Sequence, residues 1–328
     1  MITVKGDLTY GNKNVKVDIE LEPARLTVLT GPNLTGKSLV IRCVYNRAET
    51  RVGRLSAKDL WIEGVSCDAT ETIKLAVYLD AYRTAIQLYE FLQSKFEDIG
   101  NTLKSIYHDV TEDDIRQQVQ KVIDDLKIIE SAVKADFSTA LVLKSYTNDY
   151  LVKETLDVLF QLYEQYKQVA KEHGLFDDFF PIMLSVEKDG FVWRDTKTDA
   201  RGRGLRTLST VYAPALVAMY MLYAYGASDG RDVYLLVEEP EAHAHPVMAH
   251  FLGRLALRLA ERAEERGYGF RAMFATHSLD FLAGAYGKVS RAYILRRSHD
   301  RIYVEGTWDG GSYIPGLSDP GAYQLFTR

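Results

Sequence analysis

Apolar and polar residues alternate over positions 2–9 and 15–22, on either side of Gly11-Asn12, with the period of two that a β-hairpin needs. The run Leu26-Thr27-Val28-Leu29 then reads as a strand, and Leu39-Val40-Ile41-Arg42-Cys43-Val44-Tyr45 continues as a helix. A short strand is expected around Leu60-Trp61-Ile62. From about residue 70 the period lengthens to three and four, and Leu75, Leu79, Tyr82, Ile86, Tyr89, Phe96 and Ile99 fall mostly on one helical face. A second helix opens with Thr111-Glu112-Asp113-Asp114, which resembles a capping box, and places Ile115, Val119, Val122, Leu126, Ile129 and Val133 at steps of four and three. It would extend about 40 Å. A third helix runs from about Ser145 to His173, with Leu151, Val158, Leu162, Tyr166 and Val169 on its apolar side and Gly174 as its stop.

Strand character returns at 181–186 and 190–193, joined by the turn-like Lys188-Asp189-Gly190. Residues 207–228 carry no formal charge and are long enough to span a bilayer. Ser209, Thr210, Pro214, Ser228 and the tyrosines among them favour instead a helix buried in a large α/β core. Val233-Tyr234-Leu235-Leu236-Val237 reads as a strand buried on both faces, ending in Glu238-Glu239-Pro240-Glu241. A helix over about 247–265, a strand over 270–275 that ends at Thr276-His277-Ser278, and strands at 292–295 and 302–304 complete the chain. The pattern predicts an α/β fold whose core spans residues 1–69 and 176–328, with a β-rich N-terminal part. Residues 70–175 are expected to form an α-helical, coiled-coil-like insertion that projects as an antiparallel hairpin or small bundle.

With 328 residues, 47% of them hydrophobic and 26% charged, the chain can bury a large core and is not disordered. A formal net charge of -5 argues against a wholesale polyanion binder. The 70–175 segment alone carries 12 Lys and Arg against 18 Asp and Glu, a poor balance for gripping phosphate backbones and a better one for contact with a protein. Cys43 and Cys67 make neither a metal set nor a disulfide framework, which fits a reducing compartment. The first residues, Met1-Ile2-Thr3-Val4-Lys5-Gly6-Asp7, lack the basic region and apolar run of a signal peptide, so a cytoplasmic location is expected.

The chemistry starts at Gly31-Pro32-Asn33-Leu34-Thr35-Gly36-Lys37-Ser38, which reads G-x-x-x-x-G-K-S between a strand and a helix. In that arrangement backbone N–H groups wrap the phosphates of a nucleotide and the helix N-terminus adds its positive dipole end. Gly31 and Gly36 allow conformations that a Cβ forbids, Lys37 reaches the outer phosphates, and the Ser38 hydroxyl can ligand Mg²⁺. Leu39 follows directly as part of the same site. A phosphate loop also needs an apolar strand that delivers a carboxylate to the metal shell, with a base beside it to orient water. Glu238 and Glu239 supply both, Glu238 toward Mg²⁺ and Glu239 toward the attacking water, because adjacent residues at a strand end point apart.

Together with Leu208-Ser209-Thr210 and Ala275-Thr276-His277-Ser278, these motifs resemble the ABC-type ATPases of the AAA-15/AAA-21 group, whose relatives include the OLD ATPases and the RecF and SMC heads. The resemblance implies that Glu239 is the catalytic carboxylate, that His277 senses the γ-phosphate, and that Ser209 caps the nucleotide held by the other subunit of a dimer. It implies ATP and Mg²⁺ as cofactors, a homodimer formed on ATP binding, and a D-loop at 242–246. Departures are Val211 where a glycine is usual, Pro214 in the signature helix, and no Q-loop glutamine, since Gln87 and Gln93 lie too deep in a helix. About fifty residues follow His277, too few for the nuclease domain that OLD proteins carry.

The pair His243 and His245 lacks a third metal ligand, and the Arg254, Arg258, Arg262 and Arg266 stripe is interleaved with Glu261, Glu264 and Glu265, so it reads as a solvated, paired face. Arg201, Arg203 and Arg206 form the better anion candidate. The expected function is an ATPase that dimerises around MgATP and couples its cycle to a protein partner through the helical insertion. Alternatives are a nucleotide-gated interaction module of a defence or toxin–antitoxin-like system, and a DNA-repair head. Nucleic acid is the less favoured partner, and no membrane is expected.

Overall fold

The computed structural model describes residues 1–10, 13–52, 64–70, 72–80, 120, 148–172, 182–187, 190–195, 198–203, 213–242, 244–308 and 310. The N-terminal alternation forms strands β1 (Ile2–Tyr10) and β2 (Lys13–Leu21), antiparallel from Ile2 against Leu21 to Tyr10 against Lys13. Then come β3 (Leu26–Thr30), helix α1 (Lys37–Arg47), β4 (Ala48–Val52), β5 (Val65–Ala69) and β6 (Ile73–Leu79). After these follow α2 (Asp149–Glu172), β7 (Ile182–Glu187), β8 (Gly190–Asp195), β9 (Arg201–Arg203) and α3 (Ala213–Gly226). The chain continues through β10 (Val233–Glu238), α4 (Pro246–Arg266), β11 (Phe270–Thr276), α5 (Leu279–Gly284), β12 (Ser290–Arg297) and β13 (Arg301–Thr307).

Among the described residues, a ten-stranded sheet runs in the order β4-β6-β10-β11-β3-β12-β13-β2-β1-β5. Its first six strands are parallel to one another, so their C-terminal ends lie along one edge. Strands β7, β8 and β9 form a separate antiparallel sheet. The central parallel strands β6, β10, β11 and β3 are buried on both faces, which is why they read as largely apolar runs. In β10, Val233, Leu235 and Val237 pack on the side of α2, α3 and α4, whereas Tyr234 and Leu236 pack on the side of α1, β1 and β2. By the same alternation Glu238 falls on the α1 side.

Residues 213–226 of the uncharged stretch form α3, with residues from Leu216 to Leu222 no more than 4% exposed, so the expected buried core helix is found. Pro214 occupies its first turn, where the missing N–H costs nothing. Among the described residues no helix is long and apolar enough to cross a membrane. Helix α4 starts on His245, whose Nδ1 accepts the Val247 N–H at 3.3 Å, and stops at Gly267 in the left-handed region (φ 70°). Its arginines are paired as expected, though mostly across elements: Arg258 bonds Glu261 within the helix, while Arg262 and Arg266 reach Glu154 of α2 at 2.6 and 3.0 Å.

Several expectations are corrected. Residues 73–79, expected to open the helical insertion, are a core strand. Leu75, Val77 and Leu79 line one core and Ile73, Ala76 and Tyr78 the other, and a strand buried on both faces can imitate helical spacing. The returning helix α2 also packs into the core, with Val152, Leu156 and Leu159 buried against the cluster that holds α3 and α4. Its Tyr166 hydroxyl bonds the buried His250 ring of α4, whose pKa burial lowers to about 4. The short strands β4 and β5 were not expected. The expected strand at 60–62, the first expected helix from Tyr82 to Ile99 and the second, with Thr111 and Ile115, apart from Gln120, lie outside the described residues.

Cys43 and Cys67, read as unpaired, are joined as a disulfide that ties α1 to β5. Arg201 belongs to β9 and lies 3.8 Å from Asp199 on an exposed surface; Arg206 lies outside the described residues.

A cross-link that closes a separation of 24 residues stabilises by about 3 kcal/mol in the chain-entropy estimate. The Cys67→Ser variant is expected to lose that amount in denaturant unfolding, and reductant is expected to bring the parent protein to the same midpoint while leaving the variant unmoved.

Candidate functional site

The site lies at the C-terminal edge of the parallel strands, as ligand sites in open α/β sheets do. Between β3 and α1 the chain turns through three residues with positive φ: Gly31 (133°), Leu34 (62°) and Gly36 (88°). A Cβ on Gly31 would stand 2.2 Å from the Leu295 carbonyl oxygen, and one on Gly36 would press on Ile19 and Ile302 at 3.1 Å. The two glycines of the motif are therefore required by the fold as well as by any ligand. Thr35 Oγ1 donates to the Pro32 carbonyl at 2.9 Å and closes the loop on itself. The first turn of α1 has no side-chain cap, so its N–H groups face the loop's concavity.

Lys37 is only 7% exposed, and its ammonium donates to the Gly31 and Pro32 carbonyls at 2.8 Å each. Burial lowers its pKa to about 8, against the upward pull of Glu239, Glu241 and Glu238. Glu238 sits beside Ser38. Burial raises its pKa, while Arg42 and hydrogen bonds from the Ser38 and Tyr78 hydroxyls pull the other way. Glu239 takes φ 47°, a left-handed conformation uncommon for a residue with a long side chain. Its N–H donates to the Ala275 carbonyl at 2.7 Å, and Ala242 N–H returns to its carbonyl at 2.9 Å, so a turn fixes it at the strand end. His277 follows the neighbouring strand β11. Its N–H donates to Glu241 Oε1 at 2.7 Å, and its ring bonds the Gly31 carbonyl. Burial, then the nearby Lys37, lowers its pKa and favours the neutral imidazole.

These groups surround one cavity of about 230 Å³, lined by Asn33, Leu34, Thr35, Gly36, Lys37, Ser38 and Leu39 of the loop, by Glu238, Glu239 and His277, and by Arg42. Leu8, Leu39 and Ile302 give it an apolar side. The cradle fits a polyphosphate: glycine backbone, an uncapped helix N-terminus and a buried ammonium, with carboxylates and an imidazole around it. Ser38 and Glu238 together are hard oxygen donors of the kind Mg²⁺ takes. Among the described residues no group of three His, Cys, Asp or Glu is placed to hold a metal ion.

Of the residues singled out in the sequence, Gly31 to Leu39, Glu238, Glu239 and His277 come together. Ser209 and His243 lie outside the described residues. Three contributors were missed: Arg42, Tyr78 and the buttressing role of Glu241. Only Glu241 left a trace, as part of the Glu-Glu-Pro-Glu segment. Tyr78 was misread because its strand was read as helix.

No family model matches the chain, and no curated protein matches it. Among solved structures it is similar to a Smc head domain with an extended coiled coil from Pyrococcus furiosus, bound to the C-terminal domain of ScpA. The TM-score there is 0.41 and the identity 11%, over 92% of this chain and 94% of that one. It is similar to a putative cobalt transport ATP-binding protein (TM-score 0.40, 15% identity, covering 94% and 79%). A third likeness is to an SMC head domain from Thermotoga maritima (TM-score 0.37, 9% identity, covering 93% and 97%). At these scores the likeness carries no functional weight, and the reading of the site stands on its residues.

Removing the acceptor that holds the His277 N–H should cost about 1–3 kcal/mol of stability. Glu241→Ala is expected to show that loss in chemical denaturation, and Glu241→Gln, which keeps an oxygen acceptor, a smaller one.

Proposed function

We propose that this protein binds ATP with Mg²⁺ and hydrolyses it as an ABC-type ATPase. The observation that carries the reading is the meeting of Lys37, Ser38, Glu238, Glu239 and His277 around one cavity although they come from three different strand ends. The α1 N-terminus and Lys37 bind the phosphates, with Gly31 to Thr35 wrapped around them. Ser38 and Glu238 would hold Mg²⁺, which neutralises charge on the phosphates when bound. Glu239 orients and deprotonates the attacking water, and His277, taking up a second proton beside the bound phosphate, donates one ring N–H to the terminal phosphate while the other keeps the Gly31 carbonyl. The strained turn at Glu239 keeps its carboxylate aimed into the cavity without help from a flexible loop.

We place a second copy of the chain across the exposed face of the loop, where Leu34 is 66% exposed, with Ser209 completing the site from the facing subunit. The chain between Asp80 and Asn148, which leaves the sheet at the C-terminal edge of β6, would carry the opening and closing to a protein partner. The assignment to the OLD-like group, and a cytoplasmic location, belong to the same proposal.

The test is phosphate release together with light scattering. Glu239→Gln is expected to bind ATP, lose hydrolysis by about 10²–10⁴-fold and accumulate a dimer; Lys37→Ala is expected to lose binding. A Glu239→Gln protein that turns over at the parent rate would remove the assignment of the base. ATP affinity should also depend on pH through Lys37. A bound phosphate needs the ammonium charged, and in the free protein it titrates at about 8. Affinity is therefore expected to stay level up to that pH and to fall above it by up to about tenfold per pH unit, measured by equilibrium binding.

A further inference from the structure

Glu238 does not stand alone at the end of β10. Strand β6 runs parallel beside it, with Val237 level with Leu79 and Leu236 level with Tyr78. Alternation along β6 turns Tyr78 to the α1 side, the side that Glu238 also faces. The Tyr78 ring is 4% exposed and lies against Tyr45 of α1, ring centres 5.5 Å apart, so packing fixes where its hydroxyl ends up. That hydroxyl comes close enough to the Glu238 carboxylate to favour its charged form, as the Ser38 hydroxyl does from the start of α1, while the Arg42 guanidinium one turn further on supplies countercharge. Three elements, β6, β10 and α1, thus converge on one carboxylate.

We propose that Tyr78 is a positioning residue for Glu238: its hydroxyl, held by the tilted ring contact with Tyr45, keeps the carboxylate in one orientation beside Ser38, ready for the divalent cation. This rests on the ATPase reading above. Groups that orient a metal-binding carboxylate through hydrogen bonds matter nearly as much as the ligand itself, and losing one typically weakens metal binding by about 10–100-fold. A phenylalanine at position 78 would fill the same volume and keep the ring contact, so the hydroxyl would contribute nothing if the residue served the core alone.

The experiment compares the parent protein with Tyr78→Phe. Mn²⁺ is titrated into the ATP-bound protein and followed by electron paramagnetic resonance, and binding of a fluorescent ATP analogue is measured with the divalent cation chelated. Hydrolysis is then resolved into kcat and KM. The expected result is a rise of about tenfold in half-saturating Mn²⁺ and a fall in kcat, with KM for ATP and metal-free nucleotide binding unchanged. Equal Mn²⁺ affinity and equal kcat in the two proteins would overturn the role. Tyr78→Met, which also lacks the donor, is run alongside, and failure of both variants to fold would assign the hydroxyl to the core and overturn the proposal. A parent protein that binds no nucleotide would remove the ATPase reading and the Tyr78 role with it, whereas a parent that binds normally beside an unchanged Tyr78→Phe removes only the latter.

Discussion

Strand β10 is bonded in parallel on both edges and packed on both faces, so no part of it between Val233 and Val237 can carry charge. Charge enters at the first residues past that burial, and it enters as Glu238 and Glu239. The site depends on this constraint. Because β3 and β11 run in the same direction, their ends also reach that edge, bringing the glycine loop and His277 within reach of the two carboxylates. Each neighbour contributes by ending, and the ends coincide because parallel strands point one way.

The second governing effect is desolvation. Lys37 is an ammonium nearly removed from water, which would expel its proton were it isolated. Two carbonyls of its own loop and three carboxylates around it offset part of that cost. The same low-dielectric surroundings strengthen every other interaction in the cavity. They raise the pKa of Glu238, lower that of His277, and make the hydroxyls of Ser38 and Tyr78 matter to a carboxylate that water cannot solvate freely.

Much of this was legible in the order of residues. The phosphate loop, the paired glutamates and the histidine after β11 are each a short segment flanked by a strongly patterned element, and local pattern is what a sequence carries best. The hairpin of β1 and β2, the buried helix α3 and the capped helix α4 were legible for the same reason. Strand β6 was not. A strand covered on both faces loses its alternation, and Leu75 and Leu79 then sit at a spacing that a helix would also choose. With β6 hidden, Tyr78 had no visible route to Glu238. The disulfide escaped notice because two cysteines 24 positions apart carry no pairing signal until α1 and β5 are laid together.

What the sequence determined by itself was the chemical inventory: a loop with glycines where φ must be positive, an ammonium, a hydroxyl, two adjacent carboxylates and an imidazole, each at the end of an apolar run. What only the tertiary structure decided was which of them share water-poor space. The strand order that sets β10 between β6 and β11 determines that Tyr78 and Arg42 attend Glu238. The same order makes Glu241 hold the backbone of His277 and folds α2 back into the core instead of leaving it as part of an arm. These are contacts between residues far apart in the chain, set by packing and by the shared direction of parallel strands, and no local period encodes them.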